Sequence, residues 1–219
     1  MQLIGKLISG ILLFALLTAG AGAEDTLFDS PAGSDALNDF STSMGGAQSL
    51  RGQFAQLRQL KVLKRPLHSE GYFLFAPDKG LVWQQQTPFP NRLLLQQHQL
   101  WQQDSQGHWQ QFPTGGADSP AGIMPLLVKG LLSGDISPLQ ERFQLYLQTG
   151  PEWQLGLVPK DPALANLFSR IRVEGAGQLV QRLQLFSANG DCSDIHFSAQ
   201  EAGPLSDAEL ATFIPGQTP

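Results

Sequence analysis

The chain has 219 residues, a formal net charge of −5 and only 15% charged residues. A weakly acidic protein has no electrostatic case for binding nucleic acid or anionic headgroups. The single cysteine, Cys192, excludes an internal disulfide, so an apolar core must carry the stability.

Lys6 precedes an apolar run from Leu7 to Leu17 and then small residues ending Ala21-Gly22-Ala23. This is a basic n-region, an h-region too short to span a bilayer and an Ala-x-Ala cleavage site. Residues 1–23 are therefore expected to be a signal peptide cleaved after Ala23. No cysteine stands at the cleavage point, so the exported chain is not itself expected to be lipidated. Residues 24–34 are polar and expected to form a flexible lead-in. Residues 35–219 suit one domain, since a β-barrel is commonly a single unit of this size.

Asp35 can cap a short helix in which Leu37, Phe40 and Met44 recur at three- and four-residue spacing, ended by Gly45-Gly46. Leu50 to Leu63 reads as a strand with Leu50, Gly52, Phe54 and Gln56 on one face. Its alternation changes phase near Leu57, which predicts a bulge there. Further strands are expected at Ser69–Phe75, Leu81–Gln86, Arg92–Gln97, Gln99–Gln103 and His108–Phe112. Ser119-Pro120 opens a helix over Gly122–Ser133 with Ile123, Leu126, Leu127 and Leu131 at helical spacing. Ser137-Pro138 opens a single turn. Strands resume at Arg142–Gln148, Glu152–Val158, Leu167–Glu174, Leu179–Ser187 and Ser193–Ala199, with Asn189-Gly190 a hairpin signal. Ser206 and Glu209 form a capping box, and Leu205 with Leu210 a hydrophobic staple. This meander of short strands predicts a mainly β fold with some α: an antiparallel sheet closing towards a barrel.

A search for reactive groups finds little. His68, His98, His108 and His196 fall in no metal-ligand spacing, so no metal is expected. Asp191, Cys192, Ser193, Asp194 and His196 come closest to a catalytic cluster. A strand, however, spaces same-face neighbours too far apart for a thiol and its base to touch directly. Gly175-Ala176-Gly177 lies between two strands, which is not the setting of a dinucleotide fingerprint, and no GxSxG elbow occurs. No cofactor and no enzymatic activity are expected. What remains is hydrophobicity: 42% of residues, set against 25 glutamines that supply neutral polar faces. A wide, incomplete barrel of ten or so strands leaves interior space for an apolar ligand.

Tyr72-Phe73-Leu74-Phe75, stopped by Pro77 and turned by Asp78-Lys79-Gly80 into Leu81-Val82-Trp83, resembles the hairpin of the LolA-type periplasmic lipoprotein carriers. Leu100-Trp101, the mid-chain helix, Trp153-Gln154-Leu155 and the closing Phe213-Ile214-Pro215-Gly216, which is similar to the family's C-terminal aromatic-proline strand, extend the likeness. The resemblance implies an unclosed antiparallel β-barrel with short helices forming a lid. It also implies a periplasmic monomer that shuttles the acyl chains of a lipidated protein or (glyco)lipid cargo towards the outer membrane. Its partners would be an inner-membrane donor and an outer-membrane acceptor, with no nucleic acid. Taking the strand alternation with this fold, Phe54, Tyr72, Leu74, Trp83, Leu93, Leu95 and Trp101 are expected on the concave side, and Ile123, Leu127 and Leu131 on the lid.

Ala76 stands where carriers of the proteobacterial type have an arginine that helps hold the lid shut. This implies a divergent member with a different cargo, such as a glycolipid or a polyene lipid. Two other readings are a periplasmic adaptor or sensor that binds a protein on the same fold, and a lipid hydrolase using Cys192 and His196.

Overall fold

The computed structural model describes residues 26–45, 48–96, 99–112 and 120–215. The segment 1–23 expected to be a signal peptide, Gly46, His98, Gly115-Gly116, Ser119 and Gly216 lie outside the described residues. Eleven strands form one sheet: β1 (Leu50–Gln59), β2 (Leu67–Ala76), β3 (Gly80–Thr87), β4 (Asn91–Gln96), β5 (Gln99–Gln103), β6 (Trp109–Phe112), β7 (Phe143–Gln148), β8 (Glu152–Pro159), β9 (Phe168–Ala176), β10 (Leu179–Ser187) and β11 (Cys192–Ala202). Their order is β6-β5-β4-β3-β2-β1-β11-β10-β9-β8-β7, and the adjacent pairs are antiparallel. β6 and β7 do not pair with each other, so the barrel is unclosed. Among the described residues five α-helices accompany the sheet: α1 (Ser34–Met44), α2 (Pro120–Ser133), α3 (Ser137–Arg142), α4 (Pro162–Ala165) and α5 (Asp207–Ala211).

One face of the sheet gathers the main core. Leu50 and Phe54 of β1, Phe73 and Phe75 of β2, Leu81 and Trp83 of β3, and the matching residues of β7–β11 join the stripes of α1 and α2 in one cluster. The apolar spacing read from the sequence explains α1: Leu37, Phe40 and Met44 are its buried residues. A smaller cluster lies on the other face, where Leu74, Ala76, Val82 and Leu94 meet Leu205 and Phe213 beside α5. The capping box of Ser206 and Glu209 starts α5 as the sequence predicts, satisfying end donors reciprocally.

Four local expectations are corrected. The bulge lies between Arg51 and Gln53 in the β1–β11 ladder, where Ala199 adopts a positive φ of 48°, and not at Leu57. Leu57 loses its alternation because the outer half of β1 runs out towards solvent. Between β8 and β9, where the sequence reading places no helix, the chain forms α4, capped by Asp161 Oδ1, which accepts from the Leu164 amide at 2.8 Å. Thr212–Pro215 is a series of turns and not a strand. The described part of the 24–34 segment is docked: Leu27 is 3% exposed, Phe28 packs on Tyr146, and the Ala32 amide donates to Leu145 O on the free edge of β7. Two apolar residues in a polar stretch suffice to hold it there and to cover an edge that would otherwise be open to pairing.

Candidate functional site: the helix-roofed concave face

An aromatic cluster sits on the concave face. Phe54 stacks on Trp83 with ring centroids 3.8 Å apart, and Phe73 and Phe197 meet it at 6.4 and 5.9 Å from Trp83. The cluster forms because these residues sit at inward positions of the neighbouring strands β11, β1, β2 and β3, where the ladders place Phe54 opposite Phe197 and Phe73 opposite Trp83. Leu93 and Leu95 extend it along β4, and Ile123, Leu127 and Leu131 of α2 close over it at 0–1% exposure.

Seven of the ten sequence-predicted residues therefore come together: Phe54, Trp83, Leu93, Leu95, Ile123, Leu127 and Leu131. The other three do not. Tyr72, Leu74 and Trp101 belong to the cluster on the opposite face, and Tyr72 and Leu74 line a cavity of about 470 Å³ there with Arg51, Glu209 and Thr212. The error has a physical cause: β2 is apolar on both faces, so alternation alone could not say which set faces the helices. Ala76 also lies on that opposite face, 1% exposed beside Leu205 and Phe213. It is not at α2, which removes the premise that its side chain replaces a lid-holding arginine.

Sequence reasoning missed the rim of the concave face. There α1 and the turns after β7 and β9 enclose a cleft of about 570 Å³ floored by Phe40 and Trp153, whose rings meet edge-on at 5.0 Å. Trp153 Nε1 donates to Gly177 O at 2.9 Å, and Gln178 Nε2 donates to Ser43 O at 3.1 Å, fastening the turn to α1. Its signal in the sequence was the Gly175/Gly177 pair, for a side chain at Gly175 would overlap the Trp153 ring.

The end of α2 is joined to α1 by a hydrogen bond from the Ser41 hydroxyl to Gly134 O. Gly134 has φ +70°, and a Cβ there would overlap the Gly45 backbone. Gly134→Ala is accordingly expected to lose about 1–2 kcal/mol from the left-handed conformation alone, with the overlap adding to it. Chemical denaturation reads the loss, and unchanged stability would mean that the two helices are not seated together.

The possible nucleophile is poorly placed for reaction. Burial, then the nearby Asp194 carboxylate, push the Cys192 thiol upward, opposite to the activation a nucleophilic cysteine needs. His196 Nε2 lies 3.3 Å from Asp194 Oδ1, but that carboxylate is engaged by Arg182 at 2.6 and 2.9 Å. The Arg182 hydrogen bonds hold the Asp194 carboxyl below the ordinary 3.8. The unfolded chain thus binds the proton more readily, so this pair stabilises the fold above about pH 4 and ceases to as pH falls further. Asp194→Asn is expected to cost about 1–2 kcal/mol at neutral pH and to flatten the acid limb of a stability–pH curve. Identical acid limbs in the two proteins would refute the pairing.

These features describe a helix-roofed open β-barrel with an apolar concave face. The chain belongs to the family of outer membrane lipoprotein carrier proteins described as LolA-like, which matches residues 42–214. An outer-membrane lipoprotein carrier protein of Dechloromonas aromatica is 26% identical over 218 residues, covering 98% of this chain and 95% of that one. Among solved structures, the chain is similar to a DUF1329 family protein from Desulfovibrio piger, with 13% identity and a TM-score of 0.47 over 80% of this chain and 96% of that one. It is also similar to a LolA superfamily protein from Nitrosomonas europaea, with 10% identity and a TM-score of 0.44 over 80% and 96%.

Proposed function

We propose that this protein is a periplasmic carrier that shelters the acyl chains of a lipidated protein or lipid between the concave sheet face and α1–α2. Residues 1–23 direct its export and 35–219 form the carrier domain. The observation behind this reading is the single apolar cluster shared by Phe54, Trp83, Leu93 and Leu95 of the strands with Ile123, Leu127 and Leu131 of α2. An acyl chain entering this contact gains about 0.8 kcal/mol per buried methylene, needing no specific polar partner. In the present arrangement α2 lies flush on the sheet, so cargo enters by displacing it, and the cleft beside Phe40 and Trp153 is the point where the roof is already parted. The Dechloromonas relative bears the name of a lipoprotein carrier, which agrees with lipoprotein as the cargo class. An inner-membrane donor and an outer-membrane acceptor complete such a route.

The closed packing of α2 also favours a second reading, an adaptor that never opens and binds a protein instead. Native mass spectrometry of protein purified from the periplasm, followed by lipid extraction, separates the two. The carrier is expected to retain or take up acyl-bearing species. A mass that stays clean after incubation with lipid extract would leave the adaptor.

A further inference from the structure

The whole-chain charge conceals a local feature at one end of the sheet. Four of the six large apolar residues most exposed among the described residues lie there: Val62 at 87%, Phe89 at 72%, Leu67 at 48% and Leu63 at 44%. Three flank or occupy the β1–β2 turn, which projects past the last ladder pair, Arg58 with Leu67. Phe89 sits in the β3–β4 turn, two residues past the pairing of Glu70 with Thr87. Alternate turns of an antiparallel meander fall at the same end, so both turns project from one end of the sheet. The opposite end carries the α1 cleft.

The charge of the β1–β2 turn itself is one-sided, with Asp191 and the exposed Glu70 the nearest acids at this end. Residues 58–68 contain Arg58, Lys61, Lys64 and Arg65 and no acidic residue, in a chain whose net charge is −5. Lys61, Lys64, Arg65 and His68 are all exposed. Among the described residues Lys64 and Arg65 make no ion pair. Asp191 faces the tip from the β10–β11 turn and accepts from the Lys61 amide at 2.9 Å, which fixes the base of the turn. Isolated exposed apolar residues are common; four at one end, interleaved with unpaired cations, are not explained by the core.

We propose that this end is a docking tip for anionic phospholipid bilayers. Val62, Leu63, Leu67 and Phe89 enter the interfacial layer, while Lys64 and Arg65 meet the headgroup phosphates. The tip is remote from the α1 cleft, so docking leaves the roof helices unobstructed.

Cosedimentation of the purified protein with vesicles tests this without any cargo, and so separately from the carrier reading. Phosphatidylglycerol-containing vesicles are expected to bind the protein at low salt, and phosphatidylcholine vesicles to bind it far less. Lys64→Gln with Arg65→Gln should weaken binding about tenfold or more, and raised salt should do the same. Val62→Ser with Phe89→Ser should weaken it by a similar factor with an unchanged melting temperature, since both side chains are exposed. No binding to the anionic vesicles overturns the proposal. So does binding that neither pair of substitutions alters. Self-association that is abolished by Phe89→Ser, without vesicle binding, would instead make the tip an interface between copies of this chain.

Discussion

Leu127→Glu is expected to abolish acyl binding, lowering affinity at least tenfold, while the sheet stays folded and α2 becomes accessible to protease. Leu127 is fully buried at the centre of the α2 contact. A carboxylate there has no partner among the surrounding aliphatic groups and would face a desolvation cost of several kcal/mol. Two relaxations are open to the protein. If α2 is a separable roof, it lifts off the sheet and exposes the glutamate, and the eleven-strand ladder persists because its hydrogen bonds do not involve α2. If α2 is an integral core element, the whole chain unfolds in one transition. Circular dichroism with limited proteolysis distinguishes these outcomes. Loss of strand signal together with cleavage throughout the chain would end the roof interpretation, and full acyl binding with α2 released would end the cargo site.

How far the sequence could be read depended on how much of each side chain's burial was decided locally. Strand positions were legible because prolines, glycines and Asn189-Gly190 punctuate them, and each of the eleven strands overlaps its expected span, although β1 ends at Gln59 and leaves Leu60–Leu63 to the turn. Helix α1 was legible because Leu37, Phe40 and Met44 leave it one apolar stripe. The direction of each strand face was not legible in β2–β5. There Phe73 and Phe75 point to the main core while Tyr72, Leu74 and Ala76 are apolar towards the other side. A second apolar face arises because α5 and the chain end return to cover it, a non-local event that no strand records. The capping box located α5 but could not say where α5 would land. The basic, apolar β1–β2 tip was hidden by averaging, since its positive charge is outvoted by acids elsewhere in the chain.

Trp83 gives the second large effect, and it connects stability with cargo. Its ring is stacked on Phe54 and flanked by Phe73 and Phe197, with 4% exposure. Trp83→Ala should therefore cost about 3–5 kcal/mol, the sum of lost transfer energy and of the cavity that three aromatic neighbours held in their own strands cannot collapse to fill. A cavity lined only by apolar groups stays dry and accepts apolar ligand. If acyl chains lie against this cluster, the variant has more room for them than the native protein. A ligand at free concentration c that binds only the folded state raises its stability by RT ln(1 + c/Kd), so tighter binding gives a larger rise. A single-chain lysophospholipid, added below its micellar concentration, should then raise the melting temperature of Trp83→Ala by more than it raises that of the native protein. Phe168→Ala is the control, since it opens a comparable void in the same core on β9, away from Trp83 and its ring neighbours. An equal rise in both variants would make the effect one of general cavity filling, and no rise in Trp83→Ala would remove the aromatic cluster from the acyl path.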